Sequence, residues 1–274
     1  MARVKKKDVV KLARKYFGDN YVVGCRRDGE QALPSIEKPE LVAIEIDRSR
    51  QSPFAANILS MPYEPVEPEY VIPGRDYTTR KVRDDIALYH AANPVNDLFT
   101  LRVVIDVGHR NDNRLPMARD LMDKSGTPRF TSEELKKAWY RLGSELSLAV
   151  NDNQTVFTLS GLDENFGASL RLMMEALTQP SAGDSTIDEL VQITIANRAD
   201  ATKDHRAIQR ALYQYARQGE QSYYLNVPTN EELGQLAAAE LHKLISGLLG
   251  YHQRLEYTGS LSASAVLEQL SAHY

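Results

Sequence analysis

The sequence predicts an α+β protein with a largely antiparallel sheet packed against helices. Three observations carry this. Phe99, Leu101, Val103, Ile105 and Val107 alternate with Thr100, Arg102, Val104 and Asp106, the pattern of a strand with one buried face. Helical stretches with their own start signals follow, among them Thr131-Ser132-Glu133-Glu134 and Thr229-Asn230-Glu231-Glu232. The order strand, helix, helix, strand, helix and then long helices lacks the regular βα alternation of a parallel sheet.

Along the chain, residues 8–17 place Val9, Leu12, Ala13, Tyr16 and Phe17 on one helical stripe. Gly18 is a natural helix stop, and Tyr21-Val22-Val23 is expected to start a strand. This opening is too small to bury a core and reads as the tail of a preceding domain. Residues 34–94 hold eight of the 12 prolines. Proline removes backbone donors and blocks helix, so most of this stretch is expected to be an extended connector between larger units.

The body begins at Leu98 with the alternating strand. A short helix over 114–124 ends at Gly126. Thr131 and Glu134 satisfy each other's orphan amides at the start of a helix that carries Leu135, Ala138, Trp139, Leu142, Leu146 and Ala149 on one face. Asn151-Asp152-Asn153 is a turn, and Thr155–Leu159 a strand. Asp163 is expected to cap a helix with Phe166, Leu170, Met173, Met174 and Leu177 inward, stopped before Pro180. Met173 and Met174 read as core filler. A long helical region runs from Ser185 to about Gln218, with a break near Asp200–Asp204. The helix that Thr229 opens buries Leu233, Leu236, Leu241, Leu244 and Ile245. Arg254–Tyr257 is a short strand and Ala263–Leu270 a final helix, again with no later partners.

Hydrophobic residues at 42% are enough to build a real core. A net charge of −4 argues against a general binder of nucleic acid or anionic membrane. The basic N-terminal cluster, Arg3 through Lys15, reads as a solvated helix face in preference to a nucleic-acid tag. A single cysteine, Cys25, excludes an internal disulfide framework and a cysteine-rich zinc site. No apolar run approaches the roughly 20 residues that span a bilayer, and no targeting segment is present, so the compartment stays open.

The chemistry-bearing residues do not converge. The histidines are His90, His109, His205, His242, His252 and His273, and none lies three to five residues from another, the spacing that sets two zinc ligands on one helix face. His242 and His252 flank a helix end and read as surface or cap residues. There is no Gly-x-Ser-x-Gly elbow and no Walker loop. Cys25 beside Arg26 and Arg27 sits where a thiol is usually inert. The acidic pairs Asp84-Asp85 and Glu133-Glu134 read as caps or solvated faces.

The order of segments resembles the insulinase/pitrilysin-type zinc metallopeptidases, whose long chains contain two similar halves joined by a linker. Lys7-Asp8-Val9-Val10 through Phe17 resembles the close of the first half, and Lys38-Pro39 with the proline-rich tract the linker. Asn93-Pro94-Val95-Asn96-Asp97-Leu98-Phe99, the strand and Gly108 resemble the start of the second half. Gly126-Thr127, Leu142-Gly143, Thr155-Val156-Phe157, Leu170 through Pro180, the helix around Leu241 and Tyr257-Thr258-Gly259 continue the likeness over essentially the whole chain.

The resemblance implies four parts: residues 1–33 closing a preceding domain, 34–84 a linker between halves, 85–250 a degenerate metallopeptidase-like domain, and 251–274 the start of a following domain. In that family's catalytic domain a His-x-x-Glu-His helix precedes the Gly-Thr step, with two zinc ligands and a general base on it. Counting back from Gly126-Thr127, those positions are Met117, Asp120 and Leu121. The third ligand would be a glutamate on the following long helix, yet none lies between Glu189 and Glu220. The family's supporting Arg and Tyr lie in a last domain that this chain barely enters, so neither is assigned.

The resemblance therefore implies a non-catalytic, substrate-enclosing segment with no cofactor of its own and zinc in the catalytic half. Its partners would be that half, in the same protein or a paired subunit, and a peptide laid along a sheet edge, with no nucleic acid and no membrane. A permanently inactive homologue acting as an assembly subunit is the alternative, and a free-standing helper protein a third.

Overall fold

The computed structural model describes residues 4–25, 27, 29, 47, 50–83 and 86–274. The chain divides into two units, Met1–Val66 and Glu67–Tyr274.

In the first unit, helix α1 spans Lys6–Tyr16 and buries no residue. Helix α2 spans Pro53–Ser60, with Pro53 at its start and the Ser52 hydroxyl accepting the Ala55 N–H at 3.1 Å. It occupies part of the stretch expected to be mostly extended. A proline does not exclude a helix when it sits in the first turn, where its missing N–H has no partner anyway. The strand expected at Tyr21–Val23 does not form: residues 21–25 are exposed and irregular, and among the described residues no strand takes up their backbone groups. Pro34, Pro39 and the Asp84-Asp85 pair lie outside the described residues.

The second unit is built on a six-stranded sheet with β1 Thr78–Arg83, β2 Ile86–Ala92, β3 Leu98–Ile105, β4 Ser144–Val150, β5 Thr155–Leu162 and β6 Gln253–Gly259. Their order across the sheet is β1-β2-β6-β3-β5-β4. Every neighbouring pair is antiparallel except β2 with β6. The predicted class is thus the observed one. β3 alternates as expected, with Phe99, Leu101, Val103 and Ile105 at 0–1% exposure. On its opposite face Thr100 and Arg102 are polar, Arg102 pairing with Glu256 of β6, while Val104 is buried at 3% exposure. Antiparallel sheets tolerate one wet face in this way.

Helices cover the apolar face. α3 is Leu115–Met122, α4 Ser132–Leu142, α5 Phe166–Thr178, α6 Asp184–Ala201, α7 His205–Gln218, α8 Asn230–Leu233, α9 Ala238–Gly247 and α10 Ala263–His273. The predicted capping box closes α4: Thr131 N–H donates to Glu134 Oε2 at 2.9 Å, and Glu134 N–H to Thr131 Oγ1 at 3.3 Å. These bonds hold the Glu134 carboxyl below its ordinary range. The break between α6 and α7 falls where expected, with Asp204 Oδ1 accepting the Arg206 N–H at 2.9 Å.

Two helix expectations are corrected. The helix from Ser132 stops at Leu142, because Gly143 takes φ 59°, which reverses the chain into β4. Leu142, Leu146 and Ala149 fit a helical period, but Leu146, Leu148 and Val150 fit a strand period equally well, and the glycine decides. The helix opened by Thr229 is two, because α8 ends at Leu233 and the chain restarts at Ala238. Asp163 also differs from expectation. It is 5% exposed, begins a short 3-10 turn, and accepts Tyr257 Oη–H at 2.9 Å and Ser260 N–H at 3.0 Å. The expected cap is a tie between β5, β6 and the turn before α10.

Candidate functional site

The loop from β3 to α3 sets the position of the helix that resembles the metal helix. Gly108 lies against the 151–154 turn so closely that a Cβ would meet Asn151 O at 2.4 Å and Gln154 N at 2.5 Å. His109 N–H donates to Asn151 O and Arg110 N–H to Asp152 O, both at 3.0 Å. Gln154 Nε2 donates to Asp106 Oδ1 at 2.7 Å. The loop is thereby stitched to the β4–β5 turn, and α3 starts at Leu115 with Pro116 in its first turn.

α3 packs on α9 and α6. Leu115, Met117, Ala118 and Leu121 face inward, with Met117 6% and Leu121 0% exposed. They share one core with Leu241 and Ile245 of α9 and with Ile187 and Val191 of α6. Asp120 turns outward, half-exposed, and its carboxylate accepts from Arg119 at 2.6 Å. Asp120 also raises the carboxyl of nearby Asp123, whose partial burial is the larger cause. The motif positions Met117 and Leu121 thus come together, as i and i+4 on one face must, but as hydrocarbon and thioether in an apolar core. On α6 the buried positions are Ile187 and Val191, while Glu189 is exposed. A zinc ion needs imidazole, thiolate or carboxylate donors, and these residues do not fit one. Among the described residues no group of three or more His, Cys, Asp or Glu could hold a metal ion.

The Gly126-Thr127 step after α3 is architectural. Gly126 exchanges both backbone bonds with Ser181 (2.8 and 2.9 Å), tying α3 to the end of α5. A Cβ at Gly126 would meet Phe130 O at 2.2 Å. Thr127 Oγ1 donates to Glu175 at 2.8 Å, and Arg129 pairs with the same carboxylate, which these contacts hold below its usual range.

The remaining candidates lie apart. His242 Nε2 is 2.8 Å from Ser125 Oγ, whose own proton goes to Leu121 O at 2.8 Å, so the imidazole donates. Burial lowers the His242 pKa. The sequence reading of His242 as a surface or cap residue missed this pairing, since nothing in the spacing relates Ser125 to α9. His90 Nε2 is 2.7 Å from Leu261 O and stacks on Tyr257. His109 is buried edge-on to Tyr223, and His273 contacts Arg171. Met173 is fully buried and Met174 packs on the same core. Glu133 pairs with Lys137 at 2.6 Å. Cys25 is an exposed thiol.

The sheet offers two edges, β1 and β4. β4 alternates half-buried Ser144, Leu146, Leu148 and Val150 with exposed Glu145, Ser147 and Ala149. Behind it lies a small cavity of about 140 Å³, lined among others by Met122, Leu135, Trp139, Leu146 and Leu148. An unpaired strand edge presents backbone donors and acceptors that an extended peptide can pair with.

The arrangement is thus an open, mostly antiparallel sheet covered by helices, with α3 packed into its apolar core and no metal-holding group among the described residues. The family model described as "Insulinase (Peptidase family M16)" matches residues 88–225, just over half of the chain. The chain belongs to that family.

Solved structures agree in fold. A peptidase M16 inactive domain from Pseudomonas fluorescens superposes with a TM-score of 0.60 at 15% identity, over 72% of this chain and 50% of that one. The periplasmic protease PqqL from Escherichia coli gives 0.63 at 12% identity, over 98% of this chain and 28% of that one. The ferredoxin protease FusC, solved with Arabidopsis ferredoxin, gives 0.62 at 12%, again over 98% and 28%. The chain therefore spans about half the length of the first and about a quarter of the other two. Comparison with curated protein sequences finds no match.

Proposed function

We propose that this chain is the non-catalytic, substrate-enclosing segment of an insulinase-family zinc metallopeptidase. One observation supports the reading: the family fold is kept while Met117 and Leu121, which the resemblance matches to the family's two histidines, are built into the hydrophobic core. A helix whose ligand positions are packed this way serves architecture. The zinc and the general base then belong to a catalytic half, in the same protein or a paired subunit. In this reading residues 85–250 form the degenerate domain, 34–84 link it to a preceding half, and 251–274 lead into a following domain.

The half-length and quarter-length coverage of the similar structures supports a partner half. β4 supplies the contact chemistry, because its free edge can hold an extended peptide through backbone bonds that demand no particular sequence. The test is reconstitution. The catalytic half is assayed on long and short peptides with and without this chain. Long-peptide kcat/KM is expected to fall at least tenfold without it and to recover on its addition. Full efficiency on long peptides in its absence refutes the enclosing role.

A further inference from the structure

Residues 62–70, Pro-Tyr-Glu-Pro-Val-Glu-Pro-Glu-Tyr, have a periodicity that the proposed function does not use. Prolines recur every third residue, at Pro62, Pro65 and Pro68. A polyproline II helix turns once in three residues and makes no internal hydrogen bonds. The proline period matches that turn, and the hydrogen-bond condition is met. The segment takes neither helix nor strand, and no hydrogen bond ties residues 62–69 to the rest of the described chain.

Order returns immediately after it. Arg75 donates to Tyr70 O at 3.2 Å, and Asp76 accepts the Ile72 N–H at 2.7 Å. On the other side Met61 closes α2 with φ −63° and ψ 131°, already near polyproline II values.

With three residues per turn the segment has three edges. One carries the prolines, the second Tyr63, Val66 and Glu69, and the third Glu64, Glu67 and Tyr70. Tyr63 is 85%, Val66 93% and Tyr70 74% exposed. Prolines that hold the backbone extended reduce the entropy lost on docking, and apolar side chains this open supply area to bury. Three glutamates and no cation in nine residues fix the sign of the complementary surface.

We infer that residues 62–70 are a polyproline II ligand for a partner protein whose aromatic-lined groove carries a basic rim. The proline edge and Tyr63 fill the aromatic slots, as proline-rich segments do in such grooves, while Glu64, Glu67 and Glu69 meet the cations. At about 3.1 Å per residue the ligand is about 25 Å long, enough for successive slots. The inference does not rest on the enclosing role, and a chain with no part in proteolysis would present the same ligand.

The whole chain is titrated, by NMR and by calorimetry, with two purified polyproline-binding domains: an EVH1 domain chosen for a basic rim and an SH3 domain with an acidic one. Binding of the basic-rimmed domain in the micromolar range is expected, with shifts confined to residues 62–70. The Pro65→Ala/Pro68→Ala variant should bind about tenfold more weakly, and so should the wild type on raising salt from about 0.05 to 0.5 M. The Glu64→Lys/Glu67→Lys/Glu69→Lys variant should lose the basic-rimmed domain and gain the acidic-rimmed one. All three glutamates are exposed, so the melting temperature should not move, and this separates docking from folding. No binding by the basic-rimmed domain, binding indifferent to the proline pair, or shifts that map elsewhere overturns the inference.

Discussion

Restoring the family's motif, with Met117→His, Asp120→Glu and Leu121→His together, should weaken the fold without creating an active site. Leu121 is fully buried and Met117 nearly so, in contact range of α9 and α6. Removing the Leu121 isobutyl group from that core forfeits about 1.5–3 kcal/mol of burial. An imidazole nitrogen left unpaired there adds about 1–3 kcal/mol. With a smaller contribution at Met117, the loss is about 4 kcal/mol or more, against a total stability of about 5–15 kcal/mol. For a domain of this size that lowers the melting temperature by about 8–16 °C.

Zinc cannot restore this. A two-histidine site of about micromolar affinity in about 100 μM zinc returns about 2.7 kcal/mol. Tighter binding needs a third ligand where α6 presents Ile187 and Val191. Melting with and without zinc, zinc calorimetry and peptide hydrolysis on the triple variant test the argument. A melting temperature in zinc above that of the wild type, together with measurable turnover, refutes it.

Three further outcomes are expected. Tyr257→Phe leaves buried Asp163 short of a donor and should destabilise by about 1–3 kcal/mol in urea unfolding; a change below about 0.5 kcal/mol would mean that the tie carries little. His242 is held neutral by burial, its pKa lowered. The unfolded chain takes up a proton below about pH 6.5 while the folded chain resists, so stability should fall as pH drops through that value, and more shallowly in His242→Gln. Identical slopes of melting temperature against pH in the two proteins would contradict this. A broad-specificity protease should cut first within 61–72, where side chains are exposed and backbone bonds scarce; a first cut inside 98–180 would count against it.

The sequence by itself determined most local structure and the chemistry of the ligand positions. β3, the α4 capping box, the α6–α7 break and the apolar face of α5 follow from side-chain period and caps, which are interactions within a few residues. Met117 and Leu121 offer zinc no imidazole, thiolate or carboxylate, so the loss of the two histidine ligands was legible as soon as the resemblance located their positions. The tertiary structure decided what depends on distant partners. β6 inserts between β2 and β3, pairing residues 148 to 167 positions apart, and no local pattern encodes that choice. β1 and β2 were missed because their short runs sit in and beside a proline-rich tract and become strands only when β6 supplies a neighbour. Leu146–Val150 satisfied two periods at once, and the left-handed turn at Gly143 settled it. Asp163 looked like a cap from its place before a helix, but packing buried it against Tyr257 and Ser260. A carboxylate's role follows from the donors that reach it, and those donors arrive from elsewhere in the chain.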